Sequence, residues 1–233
     1  MRVLAIGAHP DDLELLCAGT LAKYANQGHQ VIMCHACNGN LGHFEIPRNE
    51  LRDIRRQEAQ NAAAVIGAES LTLDIADLDV YVERETKEKM TELIRKTKPD
   101  VIIAPSSDDY MPDHTLISRI AFDASFMATL PRLATETECH HLITPFYYMD
   151  TLAGVNFQPE VYVDITEVIE IKKRMLACHK SQTQWLKHHD KIDIIEFMIT
   201  VARFRGLQCG VQYAEGFKPC RVWGRNTTKR WLP

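Results

Sequence analysis

Residues 6–14, IGAHPDDLE, follow the first apolar run of the chain and determine how the rest is organised. The run that leads into them, 3–6, is apolar without alternation, which is typical of a buried strand in a parallel sheet. An amphipathic stretch from Leu13 to Gln27 comes next, and Gly28 after it is a common helix C-cap. The charged residues therefore lie where a strand ends and a helix begins, which is the end at which open α/β sheets bind ligands.

This stretch holds one imidazole and three carboxylates, from His9, Asp11, Asp12 and Glu14. His9 and Asp12, on either side of the Pro10 turn, can both point at one cation and leave Asp11 free beside it. An alternative is that Asp11 and Asp12 only cap the following helix, because acids stabilise its first turn. A cap needs one acid and does not need His9, so a metal site is the stronger interpretation, and Glu14 is assigned to the helix start.

A second polar concentration, SSDDYMPDH at 106–114, follows another solid apolar run. Carboxyl ends of parallel strands meet at one edge of a sheet, so we expect His114 to approach His9 and Asp12. A lone His114 could instead cap a helix or lie at the surface. Two histidines and one carboxylate bind a divalent metal with positions left open, which suits Zn²⁺ and also Fe²⁺. Hydrolysis of an amide or ester, with Asp11 taking the proton of the water, follows as the reaction class.

Apolar runs and amphipathic stretches alternate through the first part of the chain, which predicts a Rossmann-like, mainly parallel sheet with helices on both faces. We expect a single domain spanning 1–233, with a βα core at 1–130 and a C-terminal extension of the same domain at 131–233. The predicted strands are 30–37, 69–73, 101–105, 146–149 and 161–163, and the predicted helices are 48–66, 83–96, 115–130, 167–179 and 192–204.

Structural roles are expected for two cysteines, an arginine–glutamate pair and two histidine pairs. Cys34 and Cys37 resemble a redox or metal CxxC, but cysteines three apart on a strand point to opposite faces, so buried thiols are favoured over a redox pair. Arg55 and Glu58 would share a helix face, where a solvated ion pair is the default interpretation. Two histidine pairs are expected at the surface: His140–His141 and His188–His189.

The composition argues against several classes of function. The 233 residues are 45% hydrophobic and 25% charged with a net charge of -4, so we expect no nucleic-acid-binding surface. No apolar run approaches the ~20 residues of a membrane span, and Met1-Arg2 leads directly into the first strand, so we expect no signal peptide. Seven irregularly spaced cysteines favour free thiols in a reducing cytoplasm.

At these residues the chain resembles the LmbE-like (PIG-L) family of metal-dependent N-deacetylases. Residues 8–14, AHPDDLE, match the family's AHPDDxE motif in full, and 112–114, PDH, match the end of its HPDH motif. The order of strands and helices to residue 130 also agrees. Weaker agreements are Arg55 and Glu58 in an RxxE helix, the glycine-bearing loop 38–42, and YAE at 213–215.

The resemblance implies a role for each residue of the two motifs. His9, Asp12 and His114 would be the zinc ligands, and Asp11 would be the general base that activates the zinc water. The expected cofactor is therefore Zn²⁺, with Fe²⁺ as the alternative.

The resemblance also implies a substrate and an assembly. Arg55 resembles the family's sugar-contacting arginine, and Asp77, otherwise a turn former in its loop, resembles a further substrate-side acid. Family members typically remove the acetyl group from N-acetylglucosamine units of larger conjugates, including low-molecular-weight thiol precursors, and many are homo-oligomers. The expected partner is thus a small aminosugar conjugate.

One position departs from the family. The first histidine of HPDH, taken to stabilise the tetrahedral oxyanion, is Met111 here, and methionine cannot donate a hydrogen bond. Losing such a donor typically costs about 10²–10³ in turnover, so the metal alone would carry the charge, or Tyr110 or His179 would substitute. Asp113, which would hold that histidine, needs another role; these four residues are placed on the substrate side. Two alternatives stay open: an amidase on a thiol-sugar conjugate or other acylated amine, and a sugar- or metal-binding homologue with weakened catalysis.

Overall fold

The apolar runs of the sequence form strands in the computed structural model of the chain, which describes residues 1–233. The strands are β1 (Arg2–Gly7), β2 (Gln30–Cys37), β3 (Glu69–Ile75), β4 (Val101–Ala104), β5 (Phe146–Met149), β6 (Val161–Asp164) and β7 (Ala214–Pro219). They make one seven-stranded sheet in the order β3-β2-β1-β4-β5-β7-β6. The ladders joining β3, β2, β1, β4 and β5 are parallel, and β7 runs antiparallel to β5 and β6. The prediction of a mainly parallel sheet is confirmed.

Helices pack on both faces of this sheet. They are α1 (Asp12–Leu16), α2 (Ala18–Asn26), α3 (Arg48–Ala64), α4 (Arg84–Thr97), α5 (Pro112–Met127), α6 (Ile169–Leu176), α7 (Lys180–His189) and α8 (Ile194–Cys209). Side chains of β1 alternate between two cores, with Val3 and Ala5 in one and Leu4 and Ile6 in the other. The first core includes residues of α1, α2, α3, α6 and α8, and the second includes residues of α4 and α5. The Rossmann-like arrangement is confirmed.

The strand order places a crevice between β1 and β4. From β1 the chain adds β2 and β3 on one side, and it then returns to add β4 and β5 on the other. Loops that leave the carboxyl ends of β1 and β4 therefore diverge in opposite directions, and such switch points are where open α/β sheets bind ligands. Both polar motifs of the sequence follow these two strands.

The helix predicted for 13–27 is broken at Cys17 into α1 and α2. The cause is a residue far along the chain. The buried carboxylate of Glu215 accepts hydrogen bonds from Gly19 N at 2.8 Å, Thr20 N at 2.7 Å and Thr20 Oγ1 at 2.6 Å. The two backbone donors are free N–H groups of a helix start, so the acid stabilises a second N-terminus inside the predicted helix.

The C-terminal helices also differ from the prediction. The helix expected at 167–179 is a 3₁₀ turn, Thr166–Val168, followed by α6, and α7 was not predicted because its sequence is mostly polar. The last helix passes through Gly206 and ends at Gly210, whose φ of 78° suits a C-cap.

The expected geometry of the CxxC segment is wrong. Cys34 and Cys37 both pack in the same core, because the pairing of β2 with β3 shifts register between His35 and Cys37. An extra residue in a strand changes which face the following side chains point to. Both cysteines are buried free thiols.

Strands from both parts of the chain belong to the one sheet, because β5 pairs with β4 and β7 pairs with β5. We propose on this ground that 1–233 is one domain. None of the helices is long and apolar enough to cross a lipid bilayer.

Candidate metal centre

Three side chains that were predicted to meet lie together at the crevice. Ligand atoms of His9, Asp12 and His114 are all within 4.8 Å of one another. Asp12 Oδ2 lies 3.3 Å from His114 Nε2 and 3.8 Å from His9 Nδ1. This spacing allows one cation to contact all three side chains.

Local backbone structure fixes these positions. His9 begins the turn that leads into α1, since its carbonyl oxygen accepts from Asp12 N at 3.2 Å, and its backbone N–H donates to Asp12 Oδ2 at 2.7 Å. Asp12 begins α1, and His114 lies in the first turn of α5, which starts at Pro112. Between them Asp11 adopts a φ of 113°, which is uncommon for a residue with a side chain and costs about 1–3 kcal/mol. Strained backbone of this kind clusters at functional sites.

The ring of His114 is oriented for a ligand. Its Nδ1 pairs with Asp109 Oδ2 at 2.9 Å, while its Nε2 is buried without a hydrogen-bond partner and faces Asp12. A carboxylate on one ring nitrogen and an open second nitrogen is the usual arrangement of a metal-binding histidine. The residues present therefore fit a divalent metal. Asp109 was not predicted to have this role, although its place near His114 in a polar loop was a usable signal.

The electrostatics of the centre favour positive charge. Burial alone would lower the pKa of His114, but Asp12 and Asp109 raise it to about 10. Burial would raise the pKa of Asp12, but neighbouring His114 and His9 bring it well below its usual range. The surrounding carboxylates thus stabilise cationic groups at this point.

Asp11 and Arg55 form a buried pair beside the centre. Asp11 Oδ2 lies 3.2 Å from Arg55 Nη2, and the guanidinium also donates to the carbonyl oxygens of Pro10 and Gly39. Gly39 has a φ of 75°, and a Cβ there would lie 2.7 Å from the Arg55 side chain, so this glycine permits the close approach. Burial raises the pKa of the Asp11 carboxyl more than Arg55 lowers it.

The expected solvated ion pair between Arg55 and Glu58 is wrong. Arg55 is 3% exposed and Glu58 is 8% exposed. Glu58 accepts hydrogen bonds from Ser181 N at 2.8 Å and Ser181 Oγ at 2.6 Å, so it joins α3 to α7. The two side chains share a helix but have separate partners.

Two further acids hold the loops around the centre. Asp77 accepts hydrogen bonds from Gly39 N at 2.8 Å and Leu41 N at 2.9 Å. Asp113 Oδ2 lies 2.9 Å from His9 Nε2 and accepts from Leu78 N at 3.0 Å. Asp113 therefore contacts a candidate ligand directly. Cys37 is also close, since its Sγ lies within 4.8 Å of ligand atoms of His9 and Asp113.

The centre opens into a cavity of about 400 Å³. Of the residues predicted for the site, all line this cavity except His114, Tyr110 and His179. Met111 lines it, and its backbone N–H donates to Asp109 Oδ1 at 3.0 Å. Tyr110 is 56% exposed and lies outside the lining.

His179 lies behind the cavity in a buried cluster with Glu14 and His35. His179 Nε2 is 3.3 Å and His35 Nε2 is 3.6 Å from Glu14 Oε2. Burial would lower the pKa of His179, but Glu14 raises it. Glu14 was assigned only to the helix start, whereas its contacts join α1 to β2 and to the segment before α7. The sequence did contain a signal for the burial of Glu14, because this acid lies between Leu13 and Leu15.

One of the histidines expected at the surface is buried. His140 is 8% exposed, and its Nε2 lies 3.0 Å from the Pro99 carbonyl oxygen. His141, His188 and His189 are exposed, as predicted.

The sheet and the centre define a Rossmann-like protein with a His₂-carboxylate site at its topological switch point. The PIG-L family, described as GlcNAc-PI de-N-acetylase, matches residues 4–125, which is more than half of the chain. The chain belongs to this family of N-deacetylases, which hydrolyse amide bonds. The resemblance found in the two motifs is thereby confirmed.

Curated relatives cover most of the chain. A diacetylchitobiose deacetylase of Thermococcus kodakarensis is 28% identical over 93% of this chain and 82% of its own length. A 4-oxalmesaconate hydratase of Pseudomonas putida is 23% identical over 92% of this chain and 87% of its own length. Among solved structures, an N,N'-diacetylchitobiose deacetylase from Pyrococcus horikoshii in complex with an inhibitor superposes with a TM-score of 0.83, at 27% identity over 94% of this chain and 83% of that one.

Proposed function

We propose that the protein is a zinc-dependent hydrolase that removes the acetyl group from the amine of an N-acetylglucosamine-type conjugate. The observation that carries this proposal is His114 Nε2, which is buried without a hydrogen bond and faces Asp12 within a group of three potential ligands. Membership of a de-N-acetylase family and the deacetylase relatives support the reaction class. His9, Asp12 and His114 would hold the metal.

Bound at these residues, zinc would polarise the amide carbonyl and lower the pKa of the attacking water. Asp11 lies beside two of the ligands and lines the cavity, so its carboxylate is the group that takes the proton from the water. The same proton then goes to the amine as the C–N bond breaks. Arg55 holds the Asp11 carboxylate in place through their 3.2 Å contact.

Met111 should lower the rate of this reaction, because it supplies no hydrogen bond to the transition state. Its thioether cannot donate to a developing oxyanion. The two side chains expected to substitute, Tyr110 and His179, do not line the cavity. We therefore expect slower turnover than at a site with a donor at this position, by about 10²–10³.

A second candidate is the addition of water to a carbon–carbon double bond of an unsaturated acid. The relative described as a 4-oxalmesaconate hydratase, which matches most of both chains, favours it. The same metal site would serve.

Metal analysis combined with a substrate panel tests both candidates. The panel contains N-acetylglucosamine, N,N'-diacetylchitobiose, a thiol-sugar conjugate and 4-oxalmesaconate, with amine release and loss of ultraviolet absorbance as the readouts. We expect bound zinc and amine release from the aminosugars. Hydration of 4-oxalmesaconate without amine release would favour the second candidate.

The variant Asp11→Asn tests the proton transfer. It should lower turnover about 10²–10⁴-fold with zinc content unchanged. Asp53→Asn, at a side chain that is 60% exposed on α3, is the matched control and should have no effect. Undiminished turnover in Asp11→Asn would contradict the mechanism. The cytoplasmic location and the homo-oligomeric assembly stay predictions.

A further inference from the structure

We propose that the amide substrate carries an acyl chain longer than acetyl and that this chain lies against an apolar wall of the cavity. This inference rests on the proposed hydrolysis of an N-acyl aminosugar. Of the 16 residues that line the cavity, seven are hydrophobic. A sugar ring presents hydroxyl groups on most sides, so an apolar group elsewhere in the ligand would cover these side chains better than the ring does.

The apolar side chains begin at the reacting centre itself. Leu15 N donates to the carbonyl oxygen of Asp11 at 2.9 Å, so it lies one turn from the proposed base. Leu78 N donates to Asp113 Oδ2 at 3.0 Å, and that carboxylate also contacts His9. The backbones of Leu15 and Leu78 are therefore hydrogen-bonded to residues that would surround the scissile amide.

Met111 also belongs to the wall. It is the N-cap residue of α5, three residues before His114, and it lines the cavity. An unbranched thioether adapts its shape to a flexible apolar ligand. The residue that removes a hydrogen-bond donor thus adds apolar surface at the same place.

Leu78 is the least expected member of the wall. Its φ is 64°, a conformation that costs energy for a branched side chain, and the residue is 63% exposed. A glycine or asparagine would relieve the strain and a polar side chain would suit the exposure. An exposed leucine that lines the cavity is buried when an apolar group of a ligand covers it.

Position relative to the amide distinguishes an acyl chain from an apolar aglycone. The first carbon of an acyl chain is bonded to the carbonyl carbon that water attacks. An aglycone is separated from it by the amide nitrogen, the sugar ring and the glycosidic oxygen. Because Leu15, Leu78 and Met111 are all tied to groups of the reacting centre, the acyl chain is the part that they contact. Hydrolysis then gives a carboxylic acid and a free aminosugar, with water supplying the oxygen and the proton going to the amine.

A chain-length series tests this inference. The zinc-loaded protein is assayed with N-acetyl-, N-butanoyl-, N-hexanoyl- and N-octanoylglucosamine, and free amine is measured so that the readout does not depend on the acyl group. We expect kcat/KM to be at least about tenfold higher for the hexanoyl than for the acetyl substrate. Equal or higher activity on the acetyl substrate would overturn the inference and leave the proposed hydrolase intact. Faster hydrolysis of a hexyl than of a methyl glycoside of N-acetylglucosamine, without a chain-length effect, would assign the wall to the aglycone instead.

The variant Leu78→Asn probes the wall without disturbing the fold, because asparagine tolerates a positive φ. It should reduce the hexanoyl-to-acetyl ratio of kcat/KM about threefold to tenfold. Leu207→Asn, at an exposed leucine on α8 outside the cavity lining, should leave the ratio unchanged. A ratio that does not move in Leu78→Asn contradicts the proposed contact.

Binding separates this inference from failure of the proposed function. If none of the amides is hydrolysed, the hydrolase proposal fails, and calorimetric titration with N-hexanoyl- and N-acetylglucosamine still compares the two ligands. Tighter binding of the hexanoyl compound, weakened by Leu78→Asn, would support the apolar wall. Equal binding of the two would overturn it.

Discussion

Two buried groups of polar and charged residues in this protein differ in how completely their members are hydrogen-bonded. The Glu215 cluster comprises Gly19, Thr20, Lys172 and Glu215. Its carboxylate accepts from two backbone N–H groups and one hydroxyl, and it forms an ion pair with the Lys172 ammonium. Each charge in it has partners within the chain, as is usual for buried charges.

The His114 cluster, made of His9, Asp12, Asp109, Asp113 and His114, is incomplete. It combines three carboxylates with two imidazoles, and His114 Nε2 has no hydrogen-bond partner. Against the effect of burial, Asp12 and Asp109 raise the pKa of His114, and a divalent cation bound in place of the ring proton would offset the same negative charge. A buried cluster with all partners present thus stabilises the fold, whereas the open ring nitrogen of the His114 cluster supports the proposed metal.

Removing the acid of the Glu215 cluster gives the largest expected effect. Glu215→Ala should lower the free energy of unfolding by about 3–5 kcal/mol, because it leaves the Lys172 charge buried and unpaired and uncaps α2. Urea denaturation monitored by circular dichroism measures the change. Zinc stoichiometry should stay the same in the folded variant.

The control for this variant is Glu160→Ala. Glu160 pairs with Arg221 at 2.8 Å, but its side chain is 45% exposed, so the loss should be about 0–1 kcal/mol. Similar losses of unfolding free energy in the two variants would show that the buried cluster contributes no more than a surface pair. Loss of zinc in folded Glu215→Ala would show that metal binding depends on the Glu215 cluster.

The pattern of apolar runs in the sequence was sufficient to predict the main strands and the loops that meet at their carboxyl ends. The apolar runs predicted β1, β2 and β4, and parallel strands bring their carboxyl ends together, so the approach of His114 to His9 and Asp12 followed without further information. The Rossmann-like sheet rests on the same reasoning. The metal, the base and the substrate contacts of this site stay predictions.

Two of the errors arise from contact between residues far apart in the chain. Glu58 bonds to Ser181, 123 residues away, so the helix-face rule gave Arg55 and Glu58 the wrong environment. Gly19 bonds to Glu215, 196 residues away, and this contact breaks a helix that periodicity makes continuous. Such partners have no signal in the local sequence.

Removing the support of His114 should have a smaller effect than breaking the Glu215 cluster. Asp109→Asn replaces the carboxylate on His114 Nδ1 by a neutral amide, which makes the imidazole a weaker ligand. Zinc affinity should fall about 10–100-fold, measured by competition with a chromophoric chelator. Asp108→Asn is the matched control, because its side chain is 65% exposed and has no contact with His114. Equal affinity in both variants would mean that Asp109 does not orient a metal ligand.

Changes at the buried thiols of Cys34 and Cys37 should have the smallest effect on activity. They test whether these cysteines are only packed in the core or also react. Burial raises the pKa of Cys34 to about 12, so at pH 8 only about 10⁻⁴ of this thiol is the reactive thiolate. Iodoacetamide should therefore label exposed Cys209 and leave Cys34 and Cys37 unmodified in the folded protein, as peptide mass spectrometry would show. Replacing Cys34 by Ala removes one sulfur from a packed core and should leave turnover unchanged. Rapid labelling of both cysteines, or loss of activity in Cys34→Ala, would revive the redox interpretation of the CxxC segment. The β-bulge that places both thiols in one core would then be part of the active site.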